Sequence, residues 1–238
     1  MAFTLTLQQI HVMHLRRLFI FMLIVFALPT NAQIFKGYLA GGINMAQVDG
    51  DEAYGYKMPG ANFGVGVMVP FKKRWDVSLE TAFSQKGANQ KAQYVQDSLN
   101  GAYKLRLNYF EIPVMIHYTD KDFITVGTGA SWSRLIDATE WEHGKLTPTN
   151  ALNGVYKPYD VSVLVDLRMR IYKRLKFNFR YAYSMVKIRT RSFSNIGGTS
   201  EWTRHQYNNV LSFRLIYMFN EDQSARSQRQ AQLENQGL

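Results

Sequence analysis

Catalytic chemistry in this chain would have to come from a few polar residues around "EWEHG", residues 140–144. This segment holds Glu142 and His143, and Ser131 lies a short way upstream in the sequence. A serine, a histidine and a carboxylate can serve as nucleophile, base and orienting acid. His205 is a second histidine in a polar segment. The candidate catalytic residues are therefore His143, Glu142, Ser131 and His205.

The same residues support a metal or cofactor site less well than they support a catalytic site. Glu140, Glu142 and His143 are clustered, but no second histidine is spaced to complete a metal site. The glycine-containing segments 64–67 and 127–131 lie inside predicted strands with no helix after them, so they do not predict phosphate loops. The chain has no cysteine, which excludes a thiolate site. We expect neither a metal nor a cofactor.

The elements that must position these residues alternate in hydropathy. In "VSVLVDLRMRIYKRLKFNFRYAY", residues 161–183, apolar side chains occupy one parity and most charged side chains the other. This period of two predicts strands. Each run is as long as a strand that crosses a bilayer, about 9–11 residues, or longer. The eight runs are 35–44, 61–70, 75–85, 104–118, 123–137, 159–172, 175–184 and 206–219.

The connections between these runs alternate in length. Three are tight turns, and four are long and polar, at 45–60, 86–103, 138–158 and 185–205. Such sorting is typical of outer-membrane barrels, which have short periplasmic turns and long outer loops. We therefore predict an all-β fold, an eight-stranded antiparallel up-and-down transmembrane barrel with both termini in the periplasm. A soluble barrel with its apolar face inside is the alternative.

The polar parity of the strands predicts a filled lumen. Eight strands enclose a space just wide enough for side chains, and a buried charge is costly without a partner. We expect no open pore, which leaves a small-solute channel as an unfavoured alternative. The predicted lumen charge network contains Glu80, Glu111, Asp166, Arg106, Arg168, Arg170, Arg180 and Arg214.

The ends of the chain have different compositions from the middle. Residues 1–32 form a predicted signal peptide with Arg16, Arg17 and an apolar run, and Met13 is the better start, so that 1–12 need not be translated. The barrel domain is then 33–220. Residues 221–238 are polar and predicted to be a disordered periplasmic tail. The net charge is +10, but the basic residues are dispersed, so we expect no nucleic-acid partner.

Two local features refine the barrel prediction. Aromatic residues near strand ends predict interfacial girdles, with Tyr109 among them. Within 104–118 the apolar parity changes near Tyr109 and Phe110, which predicts a β-bulge at that point.

Four segments resemble one known family. They are "PGANFGVGVMVPF" (59–71), "LETAFSQKGA" (79–88), "LNYFEIPVMIHYT" (107–119) and "VGTGASWSRL" (126–135). In this order they are similar to the PorT-like outer-membrane β-barrel family of Bacteroidota, within the porin-like superfamily. The resemblance implies an eight-stranded outer-membrane barrel, and its name-giving member implies a role in type IX secretion.

Taken together, the sequence predicts an integral outer-membrane protein with a structural or interaction role, as an accessory of protein secretion. Its expected partners are outer-membrane lipid, lipopolysaccharide and periplasmic or secretion-system proteins. The alternative from a different class is an enzyme at the rim of the barrel that acts on lipid A or another lipid.

Overall fold

The computed structural model describes residues 35–93, 100–121, 123–194 and 200–220. The predicted signal peptide, the start at Met13 and the tail 221–238 lie outside the described residues. Within the described part of the chain, no helix is long and apolar enough to cross a membrane.

The described residues form an antiparallel barrel. β1 pairs with both β2 and β10, which closes a ring of eight strands in the order β1-β2-β3-β4-β5-β7-β8-β10. The predicted fold class is therefore confirmed. β6 pairs only with β5, and β9 pairs with the part of β10 beyond β8. The strands are β1 Lys36–Asp49, β2 Met58–Lys72, β3 Trp75–Gln90, β4 Tyr103–Asp120, β5 Ile124–Glu142, β6 Lys145–Leu146, β7 Tyr159–Tyr172, β8 Leu175–Ser184, β9 Arg189–Ser194 and β10 Glu201–Met218.

The strands run further than the sequence predicts at one end of the barrel. β4 and β5 have 18 and 19 residues, against the 15 predicted for each. Much of the predicted loops 45–60, 86–103, 138–158 and 185–205 is therefore strand. We call this the long-loop end, and the opposite end, which carries the turns after β2, β4 and β7, the short-turn end.

The apolar parity of the strands faces outward. Val161, Val163 and Val165 are 37–53% exposed, whereas Asp166 and Arg168 beyond them are 1% exposed. The barrel thus has an apolar belt outside and polar groups inside, the arrangement that a lipid environment requires.

Apolar clusters fill the interior at three levels. The loop-end cluster includes Leu105, Leu107, Tyr109, Tyr156 and Ile188. The middle cluster contains Met58, Met115, Leu164 and neighbouring small residues. The turn-end cluster is built around Tyr38, Met68, Ile216 and Met218. Charged groups lie between these levels.

The pairing of β4 with β5 does shift between Asn108 and Tyr109, as predicted, but the extra residue belongs to β5 and not to β4. Asn108 pairs with Asp137 and Tyr109 with Leu135, so the extra residue is Ile136 of β5. β4 keeps its alternation, and the prediction of a slip within β4 is wrong. Leu105, Leu107 and Tyr109 all face the interior, where they pack in the loop-end cluster. Tyr109 therefore does not belong to an interfacial girdle.

Gly87 permits the close approach of β3 and β4. Its φ is +142°, and an added Cβ would lie 2.0 Å from the Leu105 carbonyl oxygen. The strand continues through Gly87 to Gln90.

Replacing Gly87 with alanine is expected to destabilise the barrel by about 1–3 kcal/mol, the cost of a strained backbone position. Urea unfolding of the variant in lipid vesicles measures this change. Gly41→Ala is the matched control, because a Cβ there would meet the Phe63 ring at 3.4 Å, an ordinary contact. Equal stability of the two variants would contradict the expected strain at Gly87.

Candidate functional site

The first site candidate is a charge network between the turn-end and middle clusters. Glu80 Oε1 lies 2.6 Å from Arg214 Nη1, and Glu80 Oε2 lies 3.2 Å from Arg180 Nη2. Asp166 Oδ2 lies 3.0 Å from Arg180 Nη2 and 3.3 Å from Arg168 Nη2. We call these five residues, all at most 4% exposed, the Glu80 network. It crosses the lumen from β3 to β7, β8 and β10 and ties the far walls of the barrel together.

Neutral groups supply further hydrogen bonds to this network. Tyr38 donates its hydroxyl to Glu80 Oε2 at 3.0 Å, and Asn178 donates to Asp166. Arg214 Nε donates to Asn178 Oδ1 at 2.9 Å. Two carboxylates thus face three guanidinium groups with neutral partners around them, and Arg214 Nη2 is a buried donor that has no hydrogen-bond partner among the described residues. We interpret the network as structural.

A second network lies nearer the long-loop end and includes a residue that the sequence analysis missed. Lys86 Nζ lies 2.6 Å from Glu111 Oε1 and 3.3 Å from Asp160 Oδ2. Its ammonium group is also 4.9 Å from the centroid of the Tyr109 ring. Asp160 Oδ2 accepts hydrogen bonds from Ser184 Oγ and Asn208 Nδ2, each at 2.9 Å. We call Lys86, Glu111 and Asp160 the Lys86 triad.

Two of the eight predicted lumen charges lie elsewhere. Arg106 has the outward parity of β4, because Leu105 and Leu107 on either side of it are fully buried inside. Arg170 lies at the short-turn end, where its Nη1 donates to the Lys173 carbonyl oxygen at 2.6 Å. The other predicted charges form the Glu80 network, except for Glu111, which belongs to the Lys86 triad.

The catalytic candidates do not converge. Ser131 is buried at 2% exposure and pairs with Ser162 across β5 and β7. Eleven residues of β5 separate it from Glu142, roughly 35 Å along a strand. Glu142 binds Arg191 Nη2 at 2.6 Å instead. The nucleophile, base and acid predicted from the sequence therefore do not form a triad.

The two histidines of this set have separate partners. His143 accepts a hydrogen bond at Nδ1 from the Gly101 amide, at 3.2 Å. His205 is exposed, and its Nδ1 lies 3.1 Å from Thr190 Oγ1. Among the residues the structure describes, no group of three or more His, Cys, Asp or Glu side chains is arranged to hold a metal ion.

Glu140 organises the long-loop end. It binds Arg189 Nη1 at 2.7 Å and accepts hydrogen bonds from Tyr103 at 2.9 Å, Tyr156 at 3.2 Å and Thr149 at 2.8 Å. Burial raises the pKa of Tyr156 to about 12, so its hydroxyl stays neutral and able to donate. This Glu140 hub joins β4 and β5 to β9 and to the 147–158 segment.

A polar pocket of about 260 Å³ opens beside the hub, and we call it the rim pocket. It is lined by segments of the β1–β2, β3–β4 and β5–β6 connections, by the ends of β3, β4 and β5, and by β9. Asp51 lies in its wall at 7% exposure. Among the described residues, the lining consists of Asp51, Glu52, Ala53, Gln90, Gln93, Gly101, Ala102, Tyr103, Glu142, His143, Arg191 and Phe193.

The loop around Asp51 should lose stability as the pH rises. Burial raises the pKa of Asp51 from 3.8 to about 7. The folded loop then holds a proton that the unfolded chain releases above pH 3.8, so stability is full below pH 3.8 and falls until about pH 7. The difference between pH 3 and pH 8 is up to about 4 kcal/mol.

Hydrogen exchange of the Ala53 amide reports on this loop, because Asp51 Oδ1 accepts that N–H at 2.8 Å. Protection, corrected for intrinsic rates, is expected to fall between pH 5 and pH 8. In Asp51→Asn it should be independent of pH, because the amide does not titrate. A pH-independent wild-type amide would contradict the assignment.

Comparison with known proteins agrees with this architecture. The model of the outer membrane protein beta-barrel domain matches residues 31–189. This chain belongs to that family. Membership places the protein in the outer membrane, since that is the location of the family. No curated protein matches the chain.

Several solved outer-membrane protein structures are similar to this chain at low sequence identity. Neisserial surface protein A is 11% identical, covers 77% of this chain and 97% of its own, with a TM-score of 0.48. A major outer membrane protein from Thermus thermophilus is 11% identical over 78% of this chain and 98% of its own, with a TM-score of 0.40. OprG from Pseudomonas aeruginosa is 13% identical over 78% and 94%, with a TM-score of 0.35. Identities and scores this low carry no functional argument.

Proposed function

We propose that this outer-membrane barrel is an interaction protein that presents a folded surface at its long-loop end and serves as an accessory of protein secretion. The observation that carries the proposal is the length of its strands beyond the apolar belt. We call this projecting part the rim, which comprises residues 47–57, 85–93, 100–108, 134–158, 185–194 and 200–207.

The barrel as a whole is much taller than membrane crossing requires, and the rim accounts for the excess. At about 3.4 Å per residue and a tilt of about 40°, the 18 residues of β4 rise roughly 45 Å, whereas the hydrocarbon core is about 30 Å thick. The excess lies at the long-loop end, where Leu105, Leu107, Tyr156 and Ile188 pack inside the rim. A rim with its own apolar cluster and the Glu140 hub offers a preformed surface to a partner.

The barrel interior favours a surface role over a conducting role. The Glu80 network and the Lys86 triad cross the lumen at two levels, and each of their residues is at most 7% exposed. A solute would have to break several buried ion pairs to pass. The useful surfaces are therefore the rim and the short-turn end.

The secretion role rests on the resemblance of segments 59–71, 79–88, 107–119 and 126–135 to the PorT-like pattern. In this proposal the short turns and both chain ends face the periplasm, as in barrels with an even strand number. The polar residues 221–238 would then reach periplasmic components, while the rim faces the outside.

Site-specific photo-crosslinking in intact outer membranes tests the proposal. Crosslinkers at Leu152 (96% exposed) and Tyr54 (73% exposed) probe the rim, and one at Tyr172 probes the short-turn end. We expect defined protein adducts from the rim positions, and secretion-machinery adducts from Tyr172 that disappear when the chain ends at Asn220. Lipid adducts alone, from every position and both chain lengths, would overturn it.

A further inference from the structure

We propose that the rim pocket binds a small organic cation that carries a primary ammonium group. This goes beyond the protein-binding role proposed above, because it assigns a small-molecule ligand to a site on the outer rim. The geometry of Asp51, the charges of the pocket walls and the pocket volume each point to this ligand class.

Asp51 holds an unsatisfied acceptor in the wall of the pocket. Its Oδ1 accepts the Ala53 amide at 2.8 Å, whereas its buried Oδ2 has no hydrogen-bond partner. A buried carboxylate oxygen without a donor costs free energy. An ammonium group, with three donors and a positive charge, supplies the missing partner.

The walls around Asp51 are acidic. Glu52 and Glu142 also line the pocket, and Arg191 is the guanidinium that faces them. Arg191 Nη2 is bound to Glu142 Oε1 at 2.6 Å, and its guanidinium carbon lies 5.1 Å from the Phe193 ring centroid. Glu52 Oε1 in turn lies 3.8 Å from Arg204 Nε, so among the described residues Asp51 is the wall carboxylate without an ion pair. Once ionised, Asp51 attracts cations and repels anions.

The walls are held in place by contacts outside the pocket. Glu52 Oε1 accepts the indole N–H of Trp202 at 3.1 Å, and the Trp202 ring stacks on Phe193 at 6.1 Å between centroids. His143 is fixed by the Gly101 amide at its Nδ1, so the neutral imidazole carries its proton on Nε2. A pocket fixed before binding loses little entropy when the ligand enters.

The volume limits the ligand to a small molecule. A pocket of about 260 Å³ lies just below the range of about 300–1,000 Å³ that drug-sized ligands occupy. A short aliphatic diamine and an amino sugar both fit this size and share the ammonium group. They are distinguished by whether the sugar hydroxyls add affinity through Gln90 and Gln93, which also line the pocket.

Calorimetric titration of the purified full chain in detergent micelles tests the site. The probes are 1,4-diaminobutane and glucosamine, and the uncharged controls are 1,4-butanediol and glucose. We expect saturable binding of at least one amine and none of the controls. Binding of both amines with glucosamine tighter indicates an amino sugar, and tighter diaminobutane indicates an aliphatic amine.

Substitutions connect the binding to the pocket. Asp51→Asn is expected to weaken amine binding at least tenfold, whereas Asp137→Asn, outside the pocket lining, should leave it unchanged. Binding of diaminobutane should also strengthen from pH 6 to pH 8 as Asp51 ionises, in surroundings that contain Asp49, Glu52, Glu142, Tyr103, His143 and Arg191.

A second variant keeps the test decisive if Asp51→Asn fails to fold. Glu52→Gln removes one wall charge and keeps an acceptor for Trp202, and it should weaken binding about threefold. Absence of saturable amine binding to the wild-type chain overturns the proposal. Equal affinity of the wild type and both folded pocket variants overturns it as well. The photo-crosslinking test of the proposed protein-binding role is independent of these titrations, so the ligand proposal can fail while the protein-binding role stands.

Discussion

Replacing Glu80 with glutamine is expected to destabilise the folded barrel by about 3 kcal/mol or more, the cost of leaving a buried charge without its partner. Glu80 lies between Arg180 and Arg214, 3.2 Å and 2.6 Å away. After the change, Asp166 alone must balance three guanidinium groups inside the barrel. Equilibrium unfolding by urea in lipid vesicles, followed by tryptophan fluorescence, measures the loss.

Two further variants separate this effect from general surface electrostatics. Asp120→Asn breaks the ion pair with Arg74, whose side chains are about half exposed, and should cost no more than about 1 kcal/mol. The double variant Glu80→Gln with Arg214→Met should recover part of the loss, because it removes a guanidinium along with the carboxylate. A Glu80 variant as stable as Asp120→Asn would mean that the network is solvated and adds little.

Replacing Lys86 with methionine should have an effect of similar size, about 3–5 kcal/mol. Methionine fills most of the same volume but leaves Glu111 and Asp160 facing each other without the ammonium group that lies 2.6 Å and 3.3 Å from them. The same urea unfolding experiment measures the change.

The triple variant Lys86→Met, Glu111→Gln, Asp160→Asn is the matched test of cause. It removes both negative charges together with the positive one and should regain most of the stability. If it is no more stable than Lys86→Met alone, the loss comes from packing against Tyr109 and not from uncompensated charge.

Strand alternation predicted the Glu80 network because the relevant strands alternate without interruption through the belt. Asp166, Arg168 and Arg180 share the inward parity of their strands, and parity requires no knowledge of the pairing register. The same reasoning could have found Lys86, which has the parity of Glu80 and Ser84. The predicted run 75–85 ends one residue before Lys86, whereas β3 continues to Gln90. Strand alternation could also have identified Asp160 as a lumen residue, since it lies within the predicted 159–172 run.

The rim could not be predicted in the same way. Beyond the belt the inner face of β4 carries Leu105 and Leu107 of the loop-end cluster, while its outer face no longer meets lipid, so the apolar-outside pattern of the belt does not continue. Residues 86–90 therefore fall in a predicted loop. The extra residue Ile136 reverses the parity of β5, which turns Glu140 inward. No local signal in the sequence shows which of two paired strands carries a bulge. The Glu140 hub and the rim pocket therefore appear only in three dimensions.

Single-channel recording in planar bilayers tests the central claim most directly. The claim is that the interior is closed by side chains, so that the protein works through its surfaces. The wild-type barrel, inserted from detergent, is expected to show no stepwise conductance at moderate voltage, since the Glu80 network and the Lys86 triad cross the lumen. Uniform conductance steps that change in size with Glu80→Gln would show that ions pass through this lumen, and would contradict the account.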